Sequence, residues 1–153
     1  MLGKDYDTQA CSIARTLEVV GERWTLLVVR DAFQGKKRFE EFQASLGIAR
    51  NVLAKRLDTL VEHGVMERVP YSERPLRHEY RLTEAGRELR VALIALLRWG
   101  ERHIDDPEVP HVKVRHRDCG GDVVAELRCT ECGATPTPRE VESVRLTPGR
   151  VPV

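Results

Sequence analysis

The sequence predicts a mainly α-helical domain with one small β-hairpin, followed by a small β-rich extension. Three observations support this prediction. Apolar residues recur at helical spacing through most of residues 11–103, and two short strand-like segments interrupt them between residues 65 and 82. A segment rich in Asp and Pro near residue 106 then precedes a tail that contains three cysteines. We therefore predict two domains, residues 1–106 and residues 111–147.

Four helical segments are predicted before the hairpin. Each has apolar residues spaced three or four positions apart, which would form a buried stripe, as Phe39, Phe42 and Leu46 do in the third segment. A tight connection through Gly47 and Ile48 joins the third segment to the fourth. The predicted bounds are residues 11–20, 24–33, 38–46 and 49–61.

The third and fourth segments have the lengths and spacing of a helix-turn-helix, in which the first helix supports the second in a DNA groove. The face of the fourth helix opposite its apolar stripe carries Asn51 and Lys55, with Arg50 in the first turn and Arg56 flanking. Arg and Asn side chains suit guanine and adenine edges, whereas Lys55 and Arg56 suit phosphates. An ordinary solvated helix would carry a similar face, so this pattern alone leaves both interpretations open.

The strand-like segments, residues 65–71 and 78–82, favour a hairpin joined through residues 72–77. A loop of that length would put Arg74 and Arg77 at an exposed tip, within reach of a minor groove or phosphates. A recognition helix followed by a basic hairpin is the order of a winged helix-turn-helix. Residues 36–90 hold 12 Lys and Arg against 9 Asp and Glu, a modest local surplus that suits sequence-specific binding to double-stranded DNA.

A further helix is predicted after the hairpin, with Thr83 as its N-cap. Its segment from Leu89 to Trp99 is apolar on more than one face, so it needs to be buried on two sides. We predict that this helix and the N-terminal helix form a homodimer that holds two recognition helices about 34 Å apart. A central core helix within one chain is the alternative.

The tail contains two similar turns. Each begins with a possible metal ligand, which is followed by two other residues, a Cys and a Gly. The two turns resemble the paired knuckles of a zinc ribbon. Three thiolates and one imidazole would complete a closed tetrahedral site, so we predict one structural Zn²⁺ per chain. The intervening residues are predicted to form a small β-hairpin. The predicted ligands are His116, Cys119, Cys129 and Cys132.

Other interpretations of these turns stay open. Cys129 and Cys132 could form a disulfide or a redox pair, or the motif could have lost its metal. His111 or Asp118 could replace a ligand if the first turn closes differently.

Several short motifs follow one another in a fixed order. They are Cys11 before a helix, Gly21-Glu22-Arg23-Trp24-Thr25, Arg38-Phe39-x-Glu41-Phe42, Leu53-x-x-Arg56-Leu57-x-x-Leu60, Gly64-Val65, Pro75, and Tyr80-x-Leu82-Thr83-x-x-Gly86. In this order they resemble the HxlR family of bacterial transcriptional regulators, over about residues 8–103. This resemblance implies a homodimeric winged helix protein that binds an inverted-repeat operator, usually as a repressor. Arg38, which begins one of the motifs, is also a predicted DNA-binding residue.

Cys11 has two interpretations. Some members of the resembled family sense quinones or disulfide stress through a cysteine at this position, which would make Cys11 a redox sensor. Alternatively, Cys11 is a small buried apolar residue of the dimer core. The family commonly has Pro after this cysteine, and the chain has Ser12. A cleft between the dimer helices and the winged domain could also admit a small-molecule effector.

The sequence argues against several classes of protein. It has no long apolar run and no secretory leader, so we expect a cytoplasmic protein without a membrane partner. It offers no Ser/His/Asp set, phosphate loop or paired carboxylates at a credible site, so we do not expect an enzyme. Two alternatives to an operator-binding regulator stay open, a general initiation-factor-like protein that binds polymerase and a module that binds another protein partner.

Overall fold

Five α-helices and a two-stranded antiparallel sheet build the first of two units, which divide between His111 and Val112. The computed structural model of the chain describes Tyr6 and residues 11–144. These described residues confirm a mainly helical fold with one small β wing. In chain order the elements are α1 (Ser12–Val20), α2 (Thr25–Phe33), α3 (Phe39–Leu46), α4 (Arg50–Glu62), β1 (Met66–Glu73), β2 (Leu76–Leu82) and α5 (Glu84–His103).

The starts of two helices show how the sequence sets these bounds. Thr83 is the N-cap of α5, as predicted, because its hydroxyl oxygen accepts a hydrogen bond from the Gly86 N–H at 3.2 Å. At α3, the carboxylate of Glu41 accepts from the backbone N–H groups of Lys37 and Arg38, at 2.8 and 2.9 Å. These hydrogen bonds satisfy amide groups that have no carbonyl partner within the helix, and they fix where α3 begins.

The core lies between α2, α3, α4 and the start of β1. Phe42 of α3 and Leu53, Leu57 and Leu60 of α4 are fully buried, which confirms the apolar stripes predicted for these helices. Each such side chain contributes about 1.5–3 kcal/mol to folding by leaving water. This packing fixes α3 and α4 relative to each other, and it leaves the polar face of α4 on the surface.

The wing differs from the prediction in its length. Its strands extend to Glu73 and begin again at Leu76, so the connection is a turn of two residues and not six. A bulge between Pro70 and Ser72 absorbs one residue, after which pairing resumes between Ser72 and Arg77. The sequence pattern failed here because the bulge interrupts the alternation that marks a strand. Arg77 therefore lies within β2, and Arg74 lies in the turn.

The wing is also joined to the start of α3. The backbone N–H of Tyr80 donates to the carbonyl of Lys37 at 2.7 Å, and Arg38 and Glu79 form an isolated antiparallel bridge. This connection was not predicted from the sequence. It places the N-terminal end of α3 beside β2, and it therefore limits how far the wing can move away from the helix-turn-helix.

The second unit is irregular. Across its described part, residues 112–144, every residue is at least partly exposed, and regular structure is limited to a short 3₁₀ turn, Pro138–Glu140. The hairpin predicted between the two turns, within residues 120–128, is absent from this part of the chain, and an isolated bridge joins Arg115 to Asp122 instead. Among the described helices of both units, none combines the length and apolar character needed to cross a bilayer.

Candidate nucleic-acid interface

The N-terminal half of α4 presents three of the predicted DNA-binding side chains on the surface. Arg50, Asn51 and Lys55 are exposed, while Leu53 on the opposite side is fully buried. The Arg50 guanidinium lies over the ring of Phe39, 4.5 Å from its centroid. This cation–π contact keeps a positive charge beside the first turn of α4. The end of the helix is therefore open to a groove of DNA, as a recognition helix requires.

A cleft of about 690 Å³ lies between the N-terminal ends of α3 and α4 and the wing. It brings together Arg38, Arg50 and Arg77, which come from three separate elements of the chain. The Arg38 guanidinium lies over the ring of Tyr71, 4.6 Å from its centroid, and 3.8 Å from a carboxylate oxygen of Glu79. Glu40 and Glu41 also line the cleft, so its charge is mixed, with the three arginines providing the positive groups that could bind an anionic ligand such as a phosphate.

Arg74 lies outside this cleft, in the exposed turn at the end of the wing. Its position is the one that a contact with an adjacent minor groove would require.

Arg56 lies in a different environment from the other six predicted DNA-binding residues. Its side chain is only 13% exposed, and its guanidinium lies 3.5 Å from the carboxylate of Glu22, which precedes α2. Arg56 contacts the body of the domain through this ion pair. The phosphate contact predicted for Arg56 is therefore not part of the interface proposed below.

The side chains that hold the cleft arginines in place were not predictable from the sequence pattern. Phe39 and Tyr71 provide the aromatic faces under Arg50 and Arg38, and Glu79 provides a carboxylate. The motif Arg38-Phe39 supplies one arginine and one ring, but each of them pairs with a residue of another element, so the motif did not indicate these contacts. The contribution of Tyr71 and Glu79 depends on the register of the wing, which the sequence did not reveal.

The exposed side of α5 carries a second candidate surface. Val91, Leu96 and Trp99 are 64%, 53% and 54% exposed, and we call them the α5 patch. The opposite side of α5 packs on the core through Leu89 and Leu93. The prediction that this helix is apolar on more than one face is therefore confirmed. On α1, Ile13 and Leu17 are likewise exposed.

The two turns of the tail each bring one pair of predicted metal ligands together. In the first turn, His116 Nδ1 lies 3.3 Å from the sulfur of Cys119, which also accepts from the Gly121 N–H at 3.4 Å. In the second, hydrogen bonds from the backbone N–H groups of Cys132 and Glu131 lower the pKa of Cys129 below its ordinary value. Among the described residues, however, no group of three or more ligand-type side chains is assembled, so the metal site stays a prediction.

Cys11 is exposed at the start of α1, and its carbonyl accepts from the Arg15 N–H at 3.1 Å. All four cysteines are present as thiols, and Cys129 is the least exposed of them. Among the described residues, Cys11 is therefore accessible to an oxidant.

Three comparisons with known proteins agree with this geometry. An uncharacterized HTH-type transcriptional regulator of Mycobacterium tuberculosis is 52% identical over 130 residues, which cover 85% of this chain and 82% of that protein. The crystal structure of PA1607, described as a transcription factor, is 44% identical with a TM-score of 0.78 and covers 89% of this chain and 95% of its own. The redox regulator HypR in its oxidized form is 34% identical with a TM-score of 0.57, over 63% of this chain and 100% of its own.

The likeness to PA1607 extends beyond the first unit. Residues up to His111 make up less than three quarters of the chain, so an alignment that covers 89% of it includes part of the second unit. Residues 19–108 also match the family described as HxlR-like helix-turn-helix, and they include α2 to α5 and the wing. The chain therefore belongs to the HxlR-like helix-turn-helix family.

Proposed function

We propose that this protein is a sequence-specific DNA-binding transcription regulator that acts as a homodimer on an inverted-repeat operator. One observation carries the proposal: Arg38, Arg50 and Arg77 converge on one cleft beside the exposed residues Asn51 and Lys55 of α4. A helix that offers Arg and Asn at one end, flanked by positive charge on a wing, has the chemistry to read bases and hold phosphates together. The family, and the regulators to which the chain is similar, support this conclusion.

Each side chain has a role in this proposal. Arg50 and Asn51 contact base edges in the major groove, because their side chains can make paired hydrogen bonds to guanine and adenine. Lys55, Arg38 and Arg77 neutralise phosphates on either side of the groove. Arg74, at the end of the wing, reaches the adjacent minor groove.

The α5 patch supports the homodimer. Three large apolar side chains exposed on one side of a 20-residue helix favour burial against an equivalent helix of a second copy. The exposed residues Ile13 and Leu17 of α1 would extend the same interface. A two-fold dimer with its recognition helices about 34 Å apart would bind successive major grooves, and an inverted repeat has the matching symmetry.

Repression is the simplest consequence of such binding. A dimer that covers about two turns of a promoter excludes RNA polymerase from the same DNA. The sign of regulation depends on where the operator lies relative to the promoter, and a transcription assay with the selected operator on a promoter tests it.

A redox signal through Cys11 is the second part of the proposal. It is supported by the exposure of this thiol at the start of α1 and by the similarity to HypR, a redox regulator. If α1 contributes to the dimer, oxidation of Cys11 would alter the interface and with it the spacing of the recognition helices. Treating wild-type and Cys11→Ser protein with diamide tests this, since only the wild type should lose operator affinity. The small-molecule effector stays a prediction of the sequence.

Selection of bound sequences from a random duplex pool tests the central proposal. We expect an inverted repeat whose two halves lie about one helical turn apart, or a multiple of it. Enrichment of a single unrepeated site would contradict the dimer, and no enrichment above the starting pool would contradict sequence-specific binding. Recovery of RNA polymerase with the protein, together with no enriched sequence, would favour the initiation-factor alternative.

A further inference from the structure

The two turns of the tail have the same backbone geometry. In each, the carbonyl of the first ligand residue accepts from the N–H of the glycine four positions later, at 2.9 Å for His116 and Gly120 and at 3.0 Å for Cys129 and Gly133. Both glycines have left-handed conformations, with φ of 71° and 73°, which other residues adopt only with strain. One short segment therefore contains two similar turns, each with two potential zinc ligands that are separated by two residues.

This segment has no apolar core in its described part. None of residues 112–144 is buried, and Val124 and Leu127, between the two turns, are 57% and 49% exposed. Backbone hydrogen bonds nevertheless close each turn, from His116 to Gly121 and from Cys129 to Ala134, both at 2.8 Å. A unit of about 40 residues without a core needs a disulfide, a metal or a partner to hold its fold.

We propose that one Zn²⁺ joins the two turns, bound by His116 Nδ1 and by the sulfurs of Cys119, Cys129 and Cys132. We further propose that Asp118 positions the imidazole by accepting a hydrogen bond from Nε2. Nδ1 is assigned as the ligand atom because it faces the Cys119 sulfur, whereas Nε2 lies 3.8 Å from a carboxylate oxygen of Asp118. Imidazoles that bind metals commonly donate their other N–H to a carboxylate, which fixes the ring.

The donor set selects the metal. Three thiolates and one imidazole suit a tetrahedral, borderline-soft cation such as Zn²⁺, while Mg²⁺ and Ca²⁺ require oxygen ligands. In the structure the four side chains form two separate pairs. Metal binding would draw the pairs together and so provide the closure that apolar contacts do not provide. A Cys129–Cys132 disulfide would leave the pairing of His116 with Cys119 unexplained.

Metal analysis of the full chain, purified with a reductant and without a chelator, tests the proposal. We expect about one zinc per chain, and release of this zinc by a thiol-modifying reagent. After zinc removal, limited proteolysis should cut the chain within residues 112–144 faster, and added Zn²⁺ should restore resistance. Less than about 0.2 equivalents after zinc addition would overturn the proposal. About half an equivalent would also overturn it, because the ion would then be shared between two chains.

Matched variants identify the ligands. Cys132→Ser and His116→Ala should lose zinc, while His116→Cys should keep it, because a fourth thiolate also completes a tetrahedral site. His111→Ala is the control, since His111 is the nearby imidazole outside the proposed set, and it should bind zinc like the wild type. Full zinc content in His116→Ala, or its loss in His111→Ala, would overturn the ligand assignment. Circular dichroism of each variant separates loss of metal from unfolding of the helical unit.

Asp118 needs a different measurement, because it does not touch the metal. In competition with a chelating dye, Asp118→Asn should retain one zinc per chain but bind it about 10–100-fold more weakly. Glu126→Gln removes an exposed carboxylate from the segment between the turns, and its zinc affinity should equal that of the wild type. Equal affinities for Asp118→Asn and Glu126→Gln would overturn the positioning role of Asp118.

Discussion

Gly86 of α5 lies directly against the carbonyl group of Val65, so closely that a β-carbon on Gly86 would overlap the carbonyl oxygen. The same carbonyl accepts a hydrogen bond from the Thr83 N–H at 3.1 Å. Val65 joins α4 to β1, and Gly86 lies in the first turn of α5. This close approach therefore joins the end of the helix-turn-helix to the helix that carries the α5 patch.

The first prediction concerns this contact. Gly86→Ala should lower the free energy of unfolding by about 1–3 kcal/mol, because the new methyl group meets a backbone atom that cannot rotate away. Gly100→Ala is the matched control in the same helix, since outside the neighbouring helix backbone no atom of the described residues lies within 4 Å of the point that its β-carbon would occupy. Gly100→Ala should leave the free energy of unfolding unchanged or raise it by up to about 1 kcal/mol, because Ala has a higher helix propensity than Gly. Urea unfolding at one protein concentration measures both, and equal stabilities would contradict the contact.

The second prediction concerns a buried hydroxyl in α2. Thr25 is fully buried, and its Oγ1 has no hydrogen-bond partner among the described residues. Thr25→Val keeps the shape of the side chain and removes a polar atom that lost its contact with water on folding. We expect a gain of about 1 kcal/mol in the free energy of unfolding.

Thr59→Val is the control for this gain. Its hydroxyl donates to the Lys55 carbonyl at 3.0 Å and is partly exposed, so its replacement should change stability by less than about 0.5 kcal/mol. A loss of stability in Thr25→Val would show that the Thr25 hydroxyl is hydrogen-bonded in solution.

The third prediction concerns pH. Hydrogen bonds from the backbone N–H groups of Lys37 and Arg38 hold the pKa of Glu41 below its ordinary value. A carboxyl whose pKa is lowered by folding stabilises the protein above the pKa of the unfolded state, and this contribution disappears as pH falls through the folded pKa. At neutral pH, Glu41→Gln should therefore lower the free energy of unfolding by roughly 0.5–1 kcal/mol, because the neutral amide oxygen of Gln accepts these hydrogen bonds more weakly than a carboxylate does.

The difference between wild type and Glu41→Gln should shrink as the solution is acidified and vanish once Glu41 is protonated in both the folded and the unfolded wild type. Glu40→Gln removes the same charge from the same turn, and within the described structure Glu40 makes no hydrogen bond to the helix terminus. A pH series of thermal unfolding curves compares the two variants. Identical pH profiles would mean that general charge, and not the cap, stabilises α3.

Much of the first unit was predictable because its elements follow local rules. The apolar stripe of α4 and the cap at Thr83 each depend on side chains a few positions apart, and both are confirmed by the structure. The bulge near Pro70 and the bridge between Arg38 and Glu79 depend on contacts between distant segments. The composition of the wing could not reveal those contacts, and its turn was therefore placed over too many residues.

The candidate interface shows the same distinction. Exposure of Asn51 and Lys55 follows from helical periodicity, which places them opposite buried leucines. Arg56 also lies near that face by periodicity, but its pairing with Glu22 comes from the packing of a separate segment on α4. A sequence can thus place a charge on one side of a helix without indicating which charged partner it meets.

The fourth prediction separates the roles of three residues of α4. With the selected operator, Asn51→Ala should reduce the binding free energy by about 1–3 kcal/mol through the loss of contact with one base pair, and it should relax specificity at that position. Lys55→Gln should weaken binding to all sequences. It should also reduce the slope of log affinity against log salt concentration by about one, which corresponds to the loss of one phosphate contact. Arg56→Gln should leave that slope unchanged and lower the stability of the domain, because it leaves Glu22 without its ion pair. Equal salt slopes for Lys55→Gln and wild type would contradict the phosphate contact.

The fifth prediction concerns the α5 patch. Trp99→Glu and Leu96→Glu each place a charge in the proposed dimer interface, and burial of an unpaired charge there is strongly unfavourable. Both side chains are more than half exposed in the single chain, so the fold of each subunit should survive the change. We expect a monomer by light scattering at micromolar concentration, with the helical circular dichroism of the wild type.

DNA binding links this oligomeric change to function. A monomer has one recognition helix, so its affinity for the full inverted repeat should fall to that for an isolated half-site. Arg90→Glu is the control. Arg90 is an exposed residue of α5 outside the α5 patch, and its guanidinium lies over the ring of Phe33. This change of charge should leave the dimer intact. Dimers of unchanged stability in both Trp99→Glu and Leu96→Glu would mean that another surface holds the two subunits together, and the spacing argued from α5 would then be wrong.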